Sequence, residues 1–424
     1  MAGLGLFNLE KEKAKHLFTN ETNLTDLFRN QITSLTIHIR RIKKEPTTTK
    51  EITIIFTDIF TMFTNLKYLN FKPFSNFTQY LSFETLSPII NCPTIVELHV
   101  NVKSFFDCLY LLDGRLPQLR VFHVDISWFG HSQHEIVNNM ENLPNLECFS
   151  LNCNQDSSAY DELVIPLLHR MLNLKRLHLY LVINYKNMFI DGDNLKTNIL
   201  NRMVQLNQFT FSIRSSLWLT NQTKFISNED IQHTFEYFST NQIISYVDYF
   251  HKLGRGECHI YSYPYKENEY HRITNNFPGG IFKYVREISL FDERPFEHEF
   301  FFQISQSFPL IEKLTVNNEK VQNNKSDNLS IIEYPRLSYL DLLEVHEDYV
   351  KQFLIDTNSC LPNNVALIVD YEILKKATEN FTRQTTRNCS KLCRLAILCE
   401  YEVTDDLSQY FPQAKITYSY EYFK

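Results

Sequence analysis

The chain has 424 residues, of which 43% are hydrophobic, and its formal net charge is -7. This length suffices for one elongated repeat array or for two or three globular domains. An acidic chain argues against general nucleic-acid binding, because neutralising phosphates requires a basic surface. Only nine glycines occur, which argues against nucleotide-binding folds, where the backbone approaches phosphate at glycines. No stretch approaches the roughly 18 apolar residues of a membrane span, so no membrane association is predicted.

The segment from Met1 to Gln31 lacks the pattern that organises the rest of the chain. A short charged helix is predicted from Glu10 to Phe18. The apolar stretch before it is too short for a signal peptide. Nine cysteines without regular spacing favour a reducing, cytoplasmic location. The basic cluster Arg40-Arg41-Ile42-Lys43-Lys44 is typical either of a nuclear address or of a solvated loop.

From Ile32 onward the sequence repeats the pattern L-x-x-L-x-L, in which Ile, Val or Phe can replace Leu. The clearest copies are Ile311 to Val316 and Leu337 to Leu342, and each of them follows an aromatic-Pro pair. The regular spacing of the copies is typical of the longer class of repeat, which has a helical return segment. The middle residues of the other copies are Leu35, Leu69, Leu98, Phe122, Phe149, Leu177, Phe209, Ile288, Leu367 and Leu395.

Each copy predicts a strand that buries alternate side chains, and such strands bury a continuous core only when they stack. Leu314 and Val316 then point to one side, while Lys313 and Thr315 point to the other. We expect one parallel sheet lined by the middle residues, beginning at Ile32. Helices are predicted behind it at Ser104 to Leu112, His134 to Met140, Asp161 to Met171, Glu347 to Leu354 and Glu372 to Thr382. A final strand is predicted from Ala414 to Phe423.

The regularity breaks at about residues 213 to 281. Cys258 to Tyr263 is predicted to be a diverged strand, because Tyr261 precedes Ile288 by the length of one repeat. A loop ending at Pro278-Gly279-Gly280 follows. An interruption of this kind either carries binding specificity or is a decayed repeat.

These strands at this spacing resemble the ribonuclease-inhibitor-like leucine-rich repeats of F-box proteins over residues 32 to 424. The resemblance implies an α/β leucine-rich repeat solenoid, a horseshoe with a parallel concave sheet and a mainly helical convex side. Residues 1 to 31 would be an N-terminal cap, and residues 213 to 281 an irregular insertion. In that family the concave sheet holds a substrate, and a separate F-box docks on Skp1 and a cullin. Residues 1 to 50 contain no F-box-like pattern, so an F-box would lie upstream of Met1.

The residues that flank each middle position are predicted to form two columns on the exposed concave face. Adjacent strands lie about 4.8 Å apart, so His99 and His123 should be neighbours, with His178 two strands further along. These three histidines lack a fourth ligand, and no metal or other cofactor is predicted. Interfaces favour Tyr and Arg anchors within a polar rim. The predicted protein-binding residues are Tyr68, His99, His123, Arg176, His178, Lys313, Tyr339 and Asp341.

The sequence contains no Gly-x-Ser-x-Gly elbow, phosphate-binding loop or His-Glu-x-x-His motif, so a non-enzymatic protein-protein interaction module is predicted. The family resemblance implies a substrate-recognition component of a ubiquitin ligase. One alternative is a stand-alone repeat scaffold or inhibitor without a ligase link. Another is a secreted recognition protein with a leader upstream of Met1, which eight Asn-x-Ser/Thr triplets would suit.

Overall fold

The computed structural model describes residues 2–18, 30–40, 49–72, 80–84, 92–129, 142–184, 188–238, 242–323, 330–384, 386–399 and 406–419. They form a mixed α/β fold in two compact units. The first unit contains Met1–Trp218, Lys224–Ser245 and Glu257–Ser262, and the second contains Leu219–Thr223, Tyr246–Gly256 and Tyr263–Lys424. The division falls within the segment 213–281, where the repeat pattern breaks. Among the described residues, no helix combines the length and the apolar character needed to cross a membrane.

The first sheet has ten strands in the described part of the chain, in the order β1-β2-β3-β4-β5-β6-β7-β8-β10-β9. The strands are β1 (Ala2–Glu10), β2 (Ile32–Arg40), β3 (Tyr68–Phe71), β4 (Glu97–Ser104), β5 (Val121–Trp128), β6 (Cys148–Ser157), β7 (Arg176–Asn184), β8 (Gln208–Trp218), β9 (Gln242–Phe250) and β10 (Arg255–Tyr263). Strands β1 to β8 are paired in parallel with their neighbours. This is the arrangement that the repeat pattern predicts.

The predicted middle residues form one buried row across this sheet. Register places Leu35, Leu69, Leu98, Phe122, Phe149, Leu177 and Phe209 side by side. All seven are buried, so each strand of the row contributes one large apolar side chain to the same core. The predicted strand register of this half is confirmed.

Strand β1 was not predicted from the sequence. It pairs in parallel with β2, placing Leu4 beside Leu35 and Leu6 beside Ile37. Ile32 therefore begins the second strand of the sheet, and the prediction that it begins the first is wrong. The signal was missed because Gly3 and Gly5 break the apolar pattern and most of the strand is exposed.

The return segments of the first unit are short helices. They are α1 (Lys11–Phe18), α2 (Thr49–Met62), α3 (Phe105–Leu111), α4 (Ile165–Leu168), α5 (Gly192–Leu195) and α6 (Asn228–His233), with π-helices at Tyr160–Val164 and Lys196–Leu200. The helices predicted near residues 10–18, 104–112 and 161–171 are confirmed. The predicted helix at 134–140 and most of the basic cluster at 40–44 lie outside the described residues.

Hydrogen bonds from asparagine side chains also join successive repeats at the edge of the sheet where the strands begin. The side-chain amide of Asn145 donates to the carbonyl oxygen of Pro117 at 2.9 Å. Asn173 donates in the same way to Pro144, also at 2.9 Å. The same contact therefore occurs in two successive repeats and joins each of these to the repeat before it.

The second unit contains a seven-stranded parallel sheet in the order β11-β12-β13-β15-β17-β18-β19, and a two-stranded sheet of β14 and β16. The strands are β11 (Glu269–Ile273), β12 (Glu287–Phe291), β13 (Lys313–Asn318), β14 (Ile332–Glu333), β15 (Tyr339–Val345), β16 (Ser359–Cys360), β17 (Val365–Asp370), β18 (Leu392–Leu398) and β19 (Lys415–Ser419). The helices are α7 (His298–Ser307), α8 (Glu347–Leu354), α9 (Tyr371–Ala377), α10 (Arg387–Ser390) and α11 (Asp406–Tyr410). The buried row here is Tyr270, Ile288, Leu314, Leu340, Leu367 and Leu395.

Two expectations about the sheet are wrong. The middle residues line two sheets rather than one. Cys258 to Tyr263 is a strand, but it belongs to β10 beside β8, and Tyr270 rather than Tyr261 pairs with Ile288. Tyr261 and Tyr270 are both fully buried, so the expectation of a buried aromatic residue could not show which of the two pairs with Ile288.

The predicted helices and strand of the C-terminal part of the chain agree closely with the structure. Helix α8 has the predicted bounds. Helix α9 ends at Ala377, short of the predicted Thr382, because Glu379, Asn380 and Phe381 adopt φ values of 55°, 59° and 60° that cannot continue a right-handed helix. Strand β19 confirms the predicted final strand over its described part.

Candidate functional site

The side of the first sheet opposite its buried row carries the two predicted columns of side chains, which we call the first polar face. One column is Tyr68, Glu97, Val121, Cys148, Arg176 and Gln208. The other is Asn70, His99, His123, Ser150, His178 and Thr210. Both columns agree with the sequence prediction, because a parallel register fixes which side chains stand beside each other once the buried residues are known.

Three rings follow one another across β3, β4 and β5. The imidazoles of His99 and His123 stack with ring centroids 4.3 Å apart and 6° between their planes. The ring of Tyr68 lies 5.5 Å from that of His99. The Nε2 atom of His99 is 2.7 Å from a carboxylate oxygen of Glu97, which orients the imidazole. The predicted adjacency of the two histidines is confirmed.

The surroundings of His123 favour its neutral form. Its pKa is lowered to about 4, first by burial and then by the charges of His99, Lys72, His178 and Arg176. The nearby carboxylate of Asp125 is 2.8 Å from the ammonium group of Lys72. The imidazole of His123 is therefore neutral at pH 7.

Arg176 and His178 lie on β7, two strands from His123. The guanidinium group of Arg176 is exposed, and Nδ1 of His178 is 2.9 Å from the hydroxyl oxygen of Thr210. Ser150 and Cys148 on β6 separate these side chains from β5. The five predicted residues of the first unit thus share one face. The rings of Tyr68, His99 and His123 lie on one side of the small side chains of Cys148 and Ser150, and Arg176 and His178 lie on the other side.

The other three predicted residues lie on the second unit's sheet. Register places Lys313 beside Tyr339 and Thr315 beside Asp341. The Lys313 ammonium group pairs with Glu287 and lies 5.3 Å from the centroid of the Tyr339 ring. Burial raises the pKa of Asp341, whose carboxylate accepts from the backbone N–H of Leu343 at 3.2 Å. We call the side of this sheet that carries Lys313, Tyr339 and Asp341 the second polar face.

A buried pair was missed at the sequence level. The hydroxyl of Ser212 on β8 is 3.0 Å from Nε2 of His259 on β10. The two residues are 4% and 3% exposed. Burial, followed by the charge of Arg214, lowers the pKa of His259 well below its ordinary value. A hydroxyl beside an imidazole is an arrangement used for nucleophilic catalysis, but here both groups are closed off from a substrate. The pair instead ties β8 to β10.

The described residues contain no group of three or more His, Cys, Asp or Glu side chains suited to hold a metal ion. Three cysteines near the C-terminus are the closest sequence approach to a metal cluster, and they differ in exposure: Cys389 is buried, Cys393 is exposed and Cys399 is intermediate.

No protein-family model matches the sequence, and no curated protein matches it. A solved structure with some similarity is a chain of the yeast Rad7 and Elc1 complex. The alignment covers 96% of this chain and 92% of that chain, with 12% sequence identity and a TM-score of 0.32. A likeness this weak carries no argument about function, and the fold rests on strand order and register.

Proposed function

We propose that this chain is a non-enzymatic protein-interaction module, a leucine-rich repeat solenoid whose polar sheet faces bind a protein partner. The observation that carries the proposal is the in-register first polar face. Its two columns cross six strands, a width of about 24 Å at ~4.8 Å per strand. An open surface of this width suits a protein segment better than a small molecule, which is normally enclosed in a cleft.

The chemistry of the first polar face also suits a protein partner. It combines a tyrosine, two stacked imidazoles and an exposed arginine with hydroxyl and amide groups. Tyrosine and arginine are the residue types that most often anchor interfaces, because they combine apolar contact area with hydrogen-bonding groups. Tyr68 and Arg176 are therefore the proposed anchors, with His99 and His123 between them.

The proposed role is substrate recognition in a ubiquitin ligase, in the cytoplasm or nucleus. It is supported by the repeat motif, which resembles that of F-box proteins. The alternative is a stand-alone scaffold or inhibitor that uses the same face without Skp1 or a cullin. Both roles need a protein partner on the sheet, and they differ in which other proteins accompany it.

The proposal can be tested by affinity purification of the tagged chain from its own cells, followed by mass spectrometry. The double variant Tyr68→Ala/Arg176→Ala removes both anchors, and Arg202→Ala removes an exposed arginine elsewhere on the unit. We expect a partner that the wild type and Arg202→Ala retain and the double variant loses. Recovery of Skp1 and a cullin with it supports the ligase role, and their absence supports the alternative. Equal recovery by all three proteins would contradict binding through this face.

A further inference from the structure

The second polar face becomes apolar towards its C-terminal strands. On β13 its outward side chains are polar or charged, but the positions in register with them on β17 hold Ala366 and Ile368. On β18 the residue beside Ile368 is Ala396, and the next outward residue is Leu398. We call these four side chains the apolar patch.

The apolar patch lies on the side of the sheet that faces away from the core. Leu367 and Leu395, the residues between its members along the strands, are fully buried in the row on the opposite side. All four side chains of the patch are partly exposed. Contiguous apolar side chains on an otherwise polar surface mark sites where another molecule binds.

Two cationic side chains border the apolar patch. Arg394 precedes Ala396 on the same face of β18, and register places Lys415 of β19 beside Arg394. Both side chains are exposed, and neither forms an ion pair with any residue that the structure describes. Like charges directly opposite each other on a sheet are destabilising, so a carboxylate placed over both cations relieves their repulsion.

The carboxylates that register places beside the apolar patch lie on other strands. Asp341 on β15 stands beside Ile368, and it accepts from the backbone N–H of Leu343 at 3.2 Å. Asp370 ends β17, and it accepts from the backbone N–H of Ile373 at 3.0 Å. The cations lie on β18 and β19, so the patch has a cationic border where these two strands begin.

We propose that the apolar patch, with Arg394 and Lys415, binds an extended segment of the protein partner in which one acidic and two apolar residues occupy alternate positions. This inference rests on the proposed function, and it adds a second contact surface and the chemistry of the segment that this surface holds.

The spacing of the patch fits an extended segment. Side chains on one side of an extended chain recur every second residue, about 6.6–6.8 Å apart. Arg394, Ala396 and Leu398 have this spacing along β18. A segment aligned with β18 therefore places a carboxylate over Arg394 and Lys415 while its two apolar side chains cover the apolar patch.

The test uses the full chain with ¹³C-labelled isoleucine δ1 methyl groups and the blocked peptide Ser-Glu-Thr-Leu-Thr-Leu-Ser as the probe. Methyl resonances are followed by NMR during the titration, and Ile368 is assigned with the variant Ile368→Val. We expect the peptide to shift the Ile368 resonance saturably. The matched peptide Ser-Lys-Thr-Leu-Thr-Leu-Ser should bind at least about tenfold more weakly, because it places a third cation beside Arg394 and Lys415.

Charge reversal provides the second part of the test. Arg394→Glu/Lys415→Glu should weaken binding of the glutamate peptide at least about tenfold and strengthen binding of the lysine peptide by a similar factor. Lys283→Glu/Lys376→Glu changes the net charge equally at exposed sites elsewhere on the second unit, and it should bind both peptides as the wild type does.

Two results would overturn the proposal. One is a glutamate peptide that leaves the Ile368 resonance of the wild type unshifted, a result that needs no variant to fold. The other is a folded Arg394→Glu/Lys415→Glu variant that binds both peptides with the affinities of the wild type.

These outcomes are separable from those for the proposed function. A partner that the first-face variants lose, together with no response of Ile368 to the peptide, would retain the interaction module and remove the apolar patch as a contact surface. Peptide binding at Ile368, with partner recovery indifferent to the first-face variants, would retain the patch and remove the first polar face as the partner surface.

Discussion

His99 and His123 stack face to face on adjacent strands, with ring centroids 4.3 Å apart and 6° between their planes. Two imidazoles this close cannot both be charged unless an anion compensates them. Glu97 is bonded to His99 at 2.7 Å. Burial and the surrounding positive charges lower the pKa of His123 to about 4, so its imidazole is neutral in this stack at pH 7.

The first prediction concerns the pH dependence of stability. His123 has a pKa of about 4 when folded and an ordinary value near 6.5 when unfolded. Between these values the unfolded chain binds more protons, so stability falls as the pH falls from 6.5 to 4 and is unaffected by this group above that range. Because solvent partly screens this incompletely buried side chain, we expect a loss of about 1–2 kcal/mol.

Urea denaturation at pH 7 and pH 4.5 measures this effect. The variant His123→Gln should lose less stability on acidification than the wild type. Glu162→Gln, an exposed substitution elsewhere on the unit, should lose as much stability as the wild type. Identical pH dependence of the wild type and His123→Gln would show that the imidazole is not held neutral.

The second prediction concerns the core of the second unit. Leu314 is fully buried and pairs with Ile288 and Leu340 on its neighbouring strands. Leu314→Asn should destabilise the chain by about 3–5 kcal/mol, because it removes apolar contacts and buries an unpaired amide. Thr315→Asn makes the same side chain at the next position, which faces the opposite side. Its unfolding free energy should change by less than about 1 kcal/mol in urea titration, and equal effects of both substitutions would mean that the register is wrong.

The third prediction concerns the pair of Ser212 and His259. Ser212→Ala leaves the buried imidazole nitrogen without its partner and should cost about 1–3 kcal/mol of unfolding free energy. Ser158→Ala, on an exposed serine, should be neutral. Urea titration of both variants provides the comparison. An unchanged unfolding free energy for Ser212→Ala would show that the hydrogen bond does not tie β8 to β10.

The same pair also allows a test of the non-enzymatic proposal. A fluorophosphonate probe, which labels activated serines, should not react with Ser212 because the hydroxyl is enclosed. Peptide mapping after prolonged incubation identifies any modified residue. Stoichiometric labelling at Ser212 that His259→Gln abolishes would reveal an accessible nucleophile and contradict the proposal.

The fourth prediction concerns the contacts between successive turns. Asn173→Ala removes the hydrogen bond to the Pro144 carbonyl and the one that Asn173 accepts from the Gln205 side chain, and it should cost about 0.5–1.5 kcal/mol. Asn154→Ala, on an exposed asparagine of β6, serves as the control. Thermal melting of both variants provides the measurement. Equal melting temperatures for Asn173→Ala and the wild type would show that this contact does not contribute to the stability of the fold.

The sequence was most informative where burial is periodic. Leu98 and Phe122 identified their strands because a fully buried row needs a large apolar residue at the same place in each repeat. Once these residues were fixed, strand alternation alone placed His99 beside His123. The positions of the residues on the first polar face could therefore be predicted from the core residues, without a sequence motif of their own.

Prediction failed where pairing depends on residues distant in the sequence. Ser212 and His259 are 47 positions apart, and only the placement of β10 beside β8 brings them together. Tyr261 and Tyr270 both fitted an aromatic strand before Ile288, and spacing favoured the wrong one.

The most direct test of the proposed interaction is the affinity of a purified partner for the chain and its face variants, measured by isothermal titration calorimetry. Tyr68→Ala/Arg176→Ala should weaken binding at least about tenfold, since interface anchors each contribute more than about 1 kcal/mol. Arg202→Ala should bind as the wild type does. An unchanged dissociation constant for the folded double variant would contradict the assignment of the first polar face as the binding surface.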